Sequence, residues 1–467
     1  MTAKTSSKSA MLFDRARRVL PGGVSRNTLL SDGPLRYVSH GKGCRVFDVD
    51  GTERLDFANN VAAHIHGHAY EPIVEAVAEQ LRRGTAFTMA TEAEVQFAEH
   101  LCGRSPAFDK IRFVNSGTEA VMAGMKAARA FTGRPKIAKV EGSYHGAYDF
   151  AEVSQGSTPE NWGDANHPRA VPLARGTPEA IAENMVVLPF NDAEKAIAIL
   201  DEHRSEIACV IVDPVPHRIG MIPVSQQFAK AMREWTDRNG VLLMFDEVIT
   251  FRNGYGGVHT NLGVRPDLVS LGKMIGGGFP VGALAGHEDV MAVFEQGKQG
   301  LRLPLAGTFS ANPVTMTAGL VAMSAYDEEG VSRLNELGDY ARACITEAIS
   351  VADVPASVAG AGSLMRIHLK ANAPCNYREA HPSPNEKRAL GTFITALYER
   401  GVMLIHTGSA VLSTPMGHAE IDRLCDAVHG ALVAIRPLLE KGDEPAPQHP
   451  PRSAQSPEDA KSMAHQE

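Results

Sequence analysis

The sequence has few cysteines and no long apolar run. Its six cysteines form no CxxC pair and are scattered over 467 residues, at positions 44, 102, 209, 344, 375 and 425. This pattern argues against a disulfide framework or a zinc site of paired cysteines. The first ten residues lack the apolar core of a signal peptide, and no apolar run approaches the roughly 20 residues of a membrane span. We therefore expect a soluble, cytoplasmic protein.

An excess of positive charge is also absent. Lysine and arginine number 46 against 54 aspartates and glutamates, which gives a formal net charge of −8. This acidic balance argues against nucleic acid or an anionic membrane surface as a partner. The chain is too long for one simple core, so we expect one large and one smaller domain.

Short apolar runs alternate with helix-period segments through the middle of the chain, a pattern typical of an α/β protein with a mostly parallel sheet. The apolar runs lack strict alternation, as expected for strands that are covered on both faces. Strands are predicted at residues 111–114, 137–140, 209–212, 241–245, 268–271 and 281–285. Helices are predicted at residues 71–83, 118–132, 192–203 and 226–239.

We divide the chain into four parts. Residues 1–66 form an N-terminal segment of the smaller domain, of which the first ten are expected to be frayed. Residues 67–309 form the large domain, and residues 310–440 form the C-terminal part of the smaller, α+β domain. Residues 441–467 are rich in proline, serine and charge, so they bury too little apolar surface to become ordered. We expect a disordered tail there.

Polar or charged residues directly follow four of the predicted strands. Residues 115–119 open a helix, Asp213 and Asp246 each end an apolar run, and Lys273 precedes three glycines. Ligands of parallel sheets bind beyond the carboxyl ends of the strands. We therefore expect a helix start suited to an anion, two carboxylates and a lysine at one edge of the sheet.

Each of these features also has a purely structural interpretation. Ser116 is compatible with an anion site at a helix N-terminus or with an ordinary helix cap. A buried Asp246 is compatible with a protonated ring nitrogen as its partner or with a structural ion pair. Lys273 on its own is compatible with a surface lysine. Their combination at one edge is far more specific than any one of them.

Five separated motifs carry a resemblance to a known family. They are FVNSGTEA at 113–120, EGSYHG at 141–146, LLMFDEV at 242–248, LGKMIGGGFPVGA at 271–283 and GTFSANP at 307–313. In this order they resemble class III, fold-type I aminotransferases. The sequence is most similar to the glutamate-1-semialdehyde aminomutase-like branch, which includes β-amino-acid aminotransferases. The resemblance extends from about residue 18 to residue 432.

The resemblance implies a pyridoxal 5′-phosphate (PLP) enzyme. Lys273 matches the lysine that binds the cofactor covalently and later moves the substrate proton. Asp246 matches the carboxylate that keeps the pyridine nitrogen protonated. The other implied cofactor contacts are Ser116, Gly117 and Thr118 at the phosphate, Tyr144 and Val248 on the two ring faces, His145 and Asp213 beside the ring, and Thr308 at the phosphate of a neighbouring subunit. This last contact implies a homodimer with shared active sites.

Several residues near the predicted site depart from the family pattern, whereas Arg26 matches one group of the family. Asp213 stands where the family usually has glutamate. Arg26 is placed as in the β-amino-acid group and is our first candidate for the substrate carboxylate, because its fork of donors matches a planar carboxylate. Arg218 lies near a position beside the cofactor and is the second candidate, although either arginine could be solvated. Residues 405–409 contain neither an arginine nor the carboxylate found in aminomutases.

We therefore expect an aminotransferase that moves an amino group from an amino acid (an α- or a β-amino acid) or an amine to a keto acid. An aminomutase that isomerises one substrate is the nearest alternative. A racemase, a lyase or a PLP-binding protein without activity is more remote. His64, His66 and His68 alternate, but no further ligand cluster accompanies them, and we expect no metal.

Overall fold

In the computed structural model of this chain, the described residues are 7–29, 35–297 and 300–439. The predicted disordered tail at 441–467 lies outside these residues. The expected fraying of the first ten residues is wrong for residues 8–10, because helix α1 begins at Lys8. The Ser7 hydroxyl caps this helix, and the backbone N–H groups of Lys8 and Ser9 bind the Asp50 carboxylate.

A seven-stranded sheet forms the centre of the fold. Its strands are β4 (Lys110–Val114), β5 (Lys136–Val140), β6 (Met185–Leu188), β7 (Ile207–Val212), β8 (Leu242–Asp246), β9 (Leu268–Gly272) and β10 (Gly282–Gly286), in the spatial order β4-β10-β9-β8-β7-β5-β6. Only β10 runs antiparallel to its neighbours β4 and β9. The carboxyl ends of the six other strands therefore lie at the same edge of the sheet.

Both faces of the sheet are buried. In β7, Val210 and Val212 belong to one apolar cluster, whereas Cys209 and Ile211 belong to the other. This alternation explains why the strand reads as a continuous apolar run in the sequence. The six predicted strands are confirmed to within one or two residues. The strand Met185–Leu188 was missed because its four residues are too short to stand out from a loop.

Helices cover the sheet and build the rest of the molecule. The remaining helices are α2 (Asn59–Ala62), α3 (Glu71–Arg83), α4 (Glu92–Cys102), α5 (Gly117–Thr132), α6 (Asp149–Glu152), α7 (Glu179–Glu183), α8 (Ala193–Glu202), α9 (Gln226–Asn239), α10 (Val258–Leu262), α11 (Glu288–Met291), α12 (Pro313–Ser324), α13 (Glu328–Ala352), α14 (Tyr377–Ala380), α15 (Pro384–Glu399) and α16 (His418–Leu439). The four predicted helices are confirmed. Among the helices of the described residues, none is long and apolar enough to cross a membrane.

Smaller sheets join the two ends of the chain. β1 (Val38–Lys42), β2 (Arg45–Asp48) and β3 (Glu53–Asp56) pair in sequence, and β15 (Val402–Met403) adds a parallel strand beside β3. A second small sheet consists of β13 (Ser357–Ala361), β14 (Leu364–His368) and β16 (Ser409–Val411). The strands β11 (Gln296–Gly297) and β12 (Gly300–Leu301) form a separate short hairpin. The predicted α/β fold with a smaller α+β part is confirmed, and the domain boundaries stay a proposal.

Gly282 in β10 allows this strand to pass close to the turn before α5, at the edge of the sheet where the parallel strands end. A methyl group on Gly282 would overlap the carbonyl oxygen of Ser116, which belongs to the turn before α5. We expect Gly282→Ala to lower the free energy of unfolding by about 1–3 kcal/mol, because the backbone has to move. Chemical denaturation measures this change.

Gly391 in α15 provides a control of opposite sign, since a methyl group there would meet no atom within 4 Å. Gly391→Ala should stabilise the protein by about 0.5–1 kcal/mol, because alanine has the higher helix propensity. Equal stability of the two variants would contradict the proposed crowding at Gly282.

Candidate active site

A cavity of about 900 Å³ opens at the edge of the central sheet where the parallel strands end. Eleven of the twelve predicted site residues line it: Arg26, Ser116, Gly117, Thr118, Tyr144, His145, Asp213, Arg218, Asp246, Val248 and Lys273. They come from six segments that are separate in the sequence. The structure thus brings together nearly all the residues that the sequence analysis selected.

The Asp246 carboxylate lies at the base of the cavity and is hydrogen-bonded on both oxygens. His145 Nδ1 lies 2.7 Å from Oδ2, while the Ser270 hydroxyl and the Val248 backbone N–H donate to Oδ1 at 3.0 and 3.2 Å. Both Asp246 and His145 are buried. Burial lowers the pKa of His145, which keeps the ring neutral, and its contact with a carboxylate indicates that Nδ1 carries the proton.

Lys273 follows β9 and has a strained backbone. Its φ of +48° lies in the left-handed region, which is unfavourable for a residue with a side chain. Its Nζ makes no hydrogen bond or ion pair with another described residue. Burial lowers the pKa of Lys273, an effect opposed by the charges of Asp246 and Asp213. At a given pH, a larger fraction of Lys273 is therefore in the neutral amine form than of an exposed lysine.

The first turn of α5 offers unused donors. The Ser116 hydroxyl oxygen accepts a hydrogen bond from the backbone N–H of Glu119, and Thr118 Oγ1 accepts one from the backbone N–H of Ala147. The backbone N–H groups of Gly117 and Thr118 have no acceptor among the described residues. Since a 16-residue helix begins here, its dipole adds to these free donors. This end of the cavity is suited to a phosphate.

A buried lysine supports the loop that carries Tyr144 and His145. Lys139 is 0% exposed, and its Nζ donates to the carbonyl oxygens of Ser143, Ala151 and Val153 at 2.9, 2.7 and 2.7 Å. Burial lowers its pKa to about 7, while the three acceptors favour the ammonium form, which alone has three N–H donors. Lys139 was not selected by the sequence analysis, although a charge within the apolar strand β5 is a detectable signal.

Asp213 and His217 lie on the loop after β7. Asp213 is buried, and its Oδ1 accepts the N–H of Val215 at 3.0 Å. Burial and the nearby charge of Asp246 raise the pKa of Asp213 well above its usual range, so the carboxyl tends towards the neutral acid. Burial, with the charges of Arg366 and Lys273, lowers the pKa of His217 to about 3.

The two arginines selected from the sequence lie at the exposed rim of the cavity. Arg26 donates from Nη1 to Oδ1 of Asn60 at 2.7 Å. Arg218 donates to the carbonyl oxygen of Gln155 at 3.3 Å, and its guanidinium lies 5.5 Å from the centre of the Tyr144 ring. Neither arginine forms an ion pair with an acidic side chain of the described chain.

Two features of the cavity wall were missed. Arg366 in β14 lines the cavity, and a charge inside the largely apolar run Leu364–His368 is the signal in the sequence that could have identified it. The segment Asn59–Ala62 forms a single left-handed turn with φ between +45° and +70°, and its residues Asn60 and Val61 line the cavity. Such strain in a β-branched residue is rare and is typical of functional sites.

Thr308 is the predicted site residue that lies elsewhere. It is exposed and lines a separate cavity of about 490 Å³, together with residues 86–91 and 110–113. Within one chain it therefore does not reach the cavity that contains Lys273.

The alternating histidines also have structural partners. His66 contacts the Thr414 hydroxyl and the Ala322 carbonyl oxygen, and His68 contacts the Asp56 carboxylate at 2.7 Å. In the part of the chain that the structure describes, no group of three or more His, Cys, Asp or Glu side chains is arranged to hold a metal ion.

The chain is similar in sequence and in fold to several known proteins. Residues 30–433 match the family model described as Aminotransferase class-III. A glutamate-1-semialdehyde 2,1-aminomutase of Methanosphaera stadtmanae is 36% identical over 92% of this chain and 99% of its own length. An omega-transaminase from Sphaerobacter thermophilus is 47% identical, with a TM-score of 0.90 over 93% of this chain and 99% of its own. A β-phenylalanine aminotransferase from Variovorax paradoxus is 33% identical, with a TM-score of 0.81 over 90% and 92% of the two chains.

The lowered pKa of Lys273 predicts a difference in reactivity between lysines. In protein freed of cofactor, we expect acetic anhydride to label Lys273 with a half-maximal rate at lower pH than Lys110. Burial disfavours the ammonium of Lys273, whereas the hydrogen bond to Glu295 raises the pKa of Lys110. Mass spectrometry of the labelled peptides across a pH series measures both midpoints. A midpoint for Lys273 at or above that of Lys110 would contradict the assignment.

Proposed function

This chain belongs to the class-III aminotransferases, PLP-dependent enzymes of the fold type expected from its sequence, and we propose that it transfers an amino group from a carboxylated amino acid to a keto acid. The observation that carries the proposal is the convergence of Lys273, Asp246 and the start of α5 in one cavity. One PLP molecule needs all three: a lysine that binds it covalently, a carboxylate that faces its ring nitrogen and a helix start that binds its phosphate.

The residues of the cavity fit PLP. The unused N–H groups of Gly117 and Thr118 and the hydroxyl of Ser116 would hold its phosphate. Asp246 would hold its ring nitrogen, and Val248 and Tyr144 would pack on its two faces. Lys273, whose amine has no partner among the described residues, would bind it covalently. When bound, PLP withdraws electrons from the carbon that carries the transferred amine.

The side chains around the cofactor have distinct tasks in this proposal. His145 holds Asp246 in one orientation and, being neutral, adds no charge beside it. The Asp246 carboxylate would keep a proton on the ring nitrogen. Lys273 takes the proton from the substrate carbon at Nζ and returns it, a role for which a lowered pKa is suited. Asp213, as a neutral acid, can donate a hydrogen bond beside them.

Arg26 is the proposed contact for the substrate carboxylate. It lies at the cavity rim without an acidic partner, and Asn60 in the left-handed turn orients it. Its place in the sequence resembles that of the β-amino-acid group, and a solved relative is named as a β-phenylalanine aminotransferase. A β-amino acid is therefore the first donor to test. Arg218 is the alternative contact.

An aminomutase is the second candidate, since curated relatives that are 36% and 39% identical bear this name. The two activities differ in their need for a second substrate. A transaminase must release its first product and bind a keto acid, whereas an aminomutase completes turnover on one compound. The absence of an acidic residue at 405–409 favours the transaminase.

A panel of donors tests the proposal. Purified holoenzyme is mixed with α-amino acids, β-amino acids, simple amines and glutamate 1-semialdehyde, and the visible absorbance of the bound cofactor is followed. We expect a change with carboxylated amino acids that a keto acid reverses. Turnover of glutamate 1-semialdehyde without any keto acid would favour the aminomutase, and no response to any amine would refute both.

Replacing Lys273 should remove the chemistry but leave the fold. We expect Lys273→Ala to abolish turnover, because the variant lacks both the covalent link and the base. The activity assay is accompanied by circular dichroism and size-exclusion chromatography. Lys110→Ala is the control and should keep wild-type turnover. Substantial turnover in the purified Lys273 variant would overturn the assignment.

We propose further that the enzyme is a homodimer with shared active sites. Thr308 lies on an exposed loop outside its own chain's PLP cavity, beside the strongly exposed apolar side chains Phe87, Met89 and Phe309, which are 54%, 82% and 61% accessible. An apolar patch of this kind is typical of an interface.

We also propose a cytoplasmic location. The six cysteines are all free, which supports this proposal.

The dimer proposal makes Thr308 a ligand of the partner's cofactor phosphate. We expect Thr308→Val to weaken PLP binding about tenfold or more, because a hydrogen bond to a charged group is lost. Equilibrium dialysis measures the affinity, and analytical ultracentrifugation should give the mass of two chains. Thr346→Val, on an exposed face of α13, is the matched control. Full PLP affinity in a monomeric protein would contradict the proposal.

A further inference from the structure

Arg366 is half-buried, and its guanidinium has no anionic partner. It lies in the middle of β14, opposite Ser409 of β16. Its Nη1 donates to the carbonyl oxygen of His217 at 3.3 Å, while its Nε is buried and has no hydrogen-bond partner. No acidic side chain of the described residues lies within salt-bridge distance. Burial lowers its pKa to about 10, so it keeps its charge at neutral pH.

A buried charge is costly unless it is paired. Arg104 and Arg252 are buried and also lack an acidic partner, and each has one guanidinium nitrogen without a hydrogen bond. The protein's own oxygen atoms bind the other two guanidinium nitrogens of each. Arg104 donates to the carbonyl oxygens of Tyr255, Met323 and Tyr326, and Arg252 donates to Ser363 and Leu412. Neither lines the cavity. Arg366 has one weak contact and lines the cavity directly.

The surroundings of Arg366 place it near the reacting groups. The charges of Arg366 and Lys273 both act on His217, which remains neutral. His217 Nε2 contacts the Thr407 hydroxyl at 3.1 Å, and Thr407 lines the same cavity. The acidic residues among the described lining are Asp213 and Asp246, and neither is paired with Arg366. The unsatisfied guanidinium therefore faces a space into which an anion fits.

We propose that Arg366 is a carboxylate-binding residue of the substrate site, on a wall separate from that of Arg26. The proposal rests on the function proposed above, and it gives that site a further positive group besides Arg26, Arg218 and Lys273. The planar fork of the guanidinium matches a carboxylate, which would provide the partner that Nε lacks. The neutral His217 and the Thr407 hydroxyl complete a polar wall without adding charge. Substrates with a carboxylate at this depth are selected over uncharged amines.

Succinate tests the binding step without any reaction, because it carries neither an amine nor a keto group. Its affinity for the holoenzyme is measured by isothermal titration calorimetry in wild type, Arg366→Gln and Arg26→Ala. We expect Arg366→Gln to weaken succinate binding about tenfold to a hundredfold, the usual effect of losing a charged hydrogen bond. Unchanged affinity in this variant would overturn the proposal and leave the carboxylate to Arg26.

Arg134→Gln is the matched control. Arg134 is also half-buried and donates only to carbonyl oxygens, those of Ile207 and Asn239, outside the cavity. Its replacement should leave succinate binding unchanged. If Arg366→Gln fails to fold, Arg366→Lys keeps the charge without the planar fork and should bind succinate several-fold more weakly than wild type. Wild-type affinity in Arg366→Lys would then overturn the proposal.

A kinetic comparison separates this inference from the proposed function. In Arg366→Gln, the Michaelis constant should rise at least tenfold more for a β-amino acid than for an uncharged amine of similar size. Equal effects on both donors would assign Arg366 a structural role only. A wild-type enzyme that converts no amine at all would instead refute the proposed function.

Discussion

The burial of the Asp246 carboxylate is the constraint on which the site depends. A buried charge must be hydrogen-bonded from several directions, and this requirement draws together three segments: the loop after β5 through His145, strand β9 through Ser270, and the backbone of Val248. The loop with His145 is in turn held by Lys139, whose three N–H donors bind three carbonyl oxygens of that loop. A chain of buried polar contacts thus sets the position of the carboxylate.

Two segments of strained backbone border the same cavity. Lys273 and the turn Asn59–Ala62 adopt left-handed conformations, each at a cost of about 1–2 kcal/mol per residue. Such strain persists only where the surrounding packing determines the conformation. Asn59 is buried and donates to the Val411 carbonyl oxygen at 2.7 Å, and Asp56 accepts the N–H groups of Ala58 and Asn59. The two ends of the chain therefore stabilise this turn jointly.

The positive groups of the cavity are placed at different depths. Arg26 and Arg218 lie at the exposed rim, whereas Arg366 and Lys273 are half-buried, and Lys273 is near the carboxyl groups of Asp246 and Asp213. Because each group comes from a different segment, the charge pattern is a property of the assembled fold. It is suited to anionic substrates, since the acidic groups face the base of the cavity.

The sequence by itself determined the central sheet and the residues after its strands. Continuous apolar runs predict buried parallel strands, and parallel strands must end at one edge, so Lys273, Asp246 and the start of α5 could be placed together. Local sequence motifs also identified the family. Only the tertiary structure decided which side chains meet across the sheet, because such contacts depend on register and loop path. Lys139, the left-handed turn and Arg366 lie on segments whose distance from Lys273 in sequence says nothing about their distance in space. The separation of Thr308 from its own chain's cavity likewise follows from the path of an exposed loop.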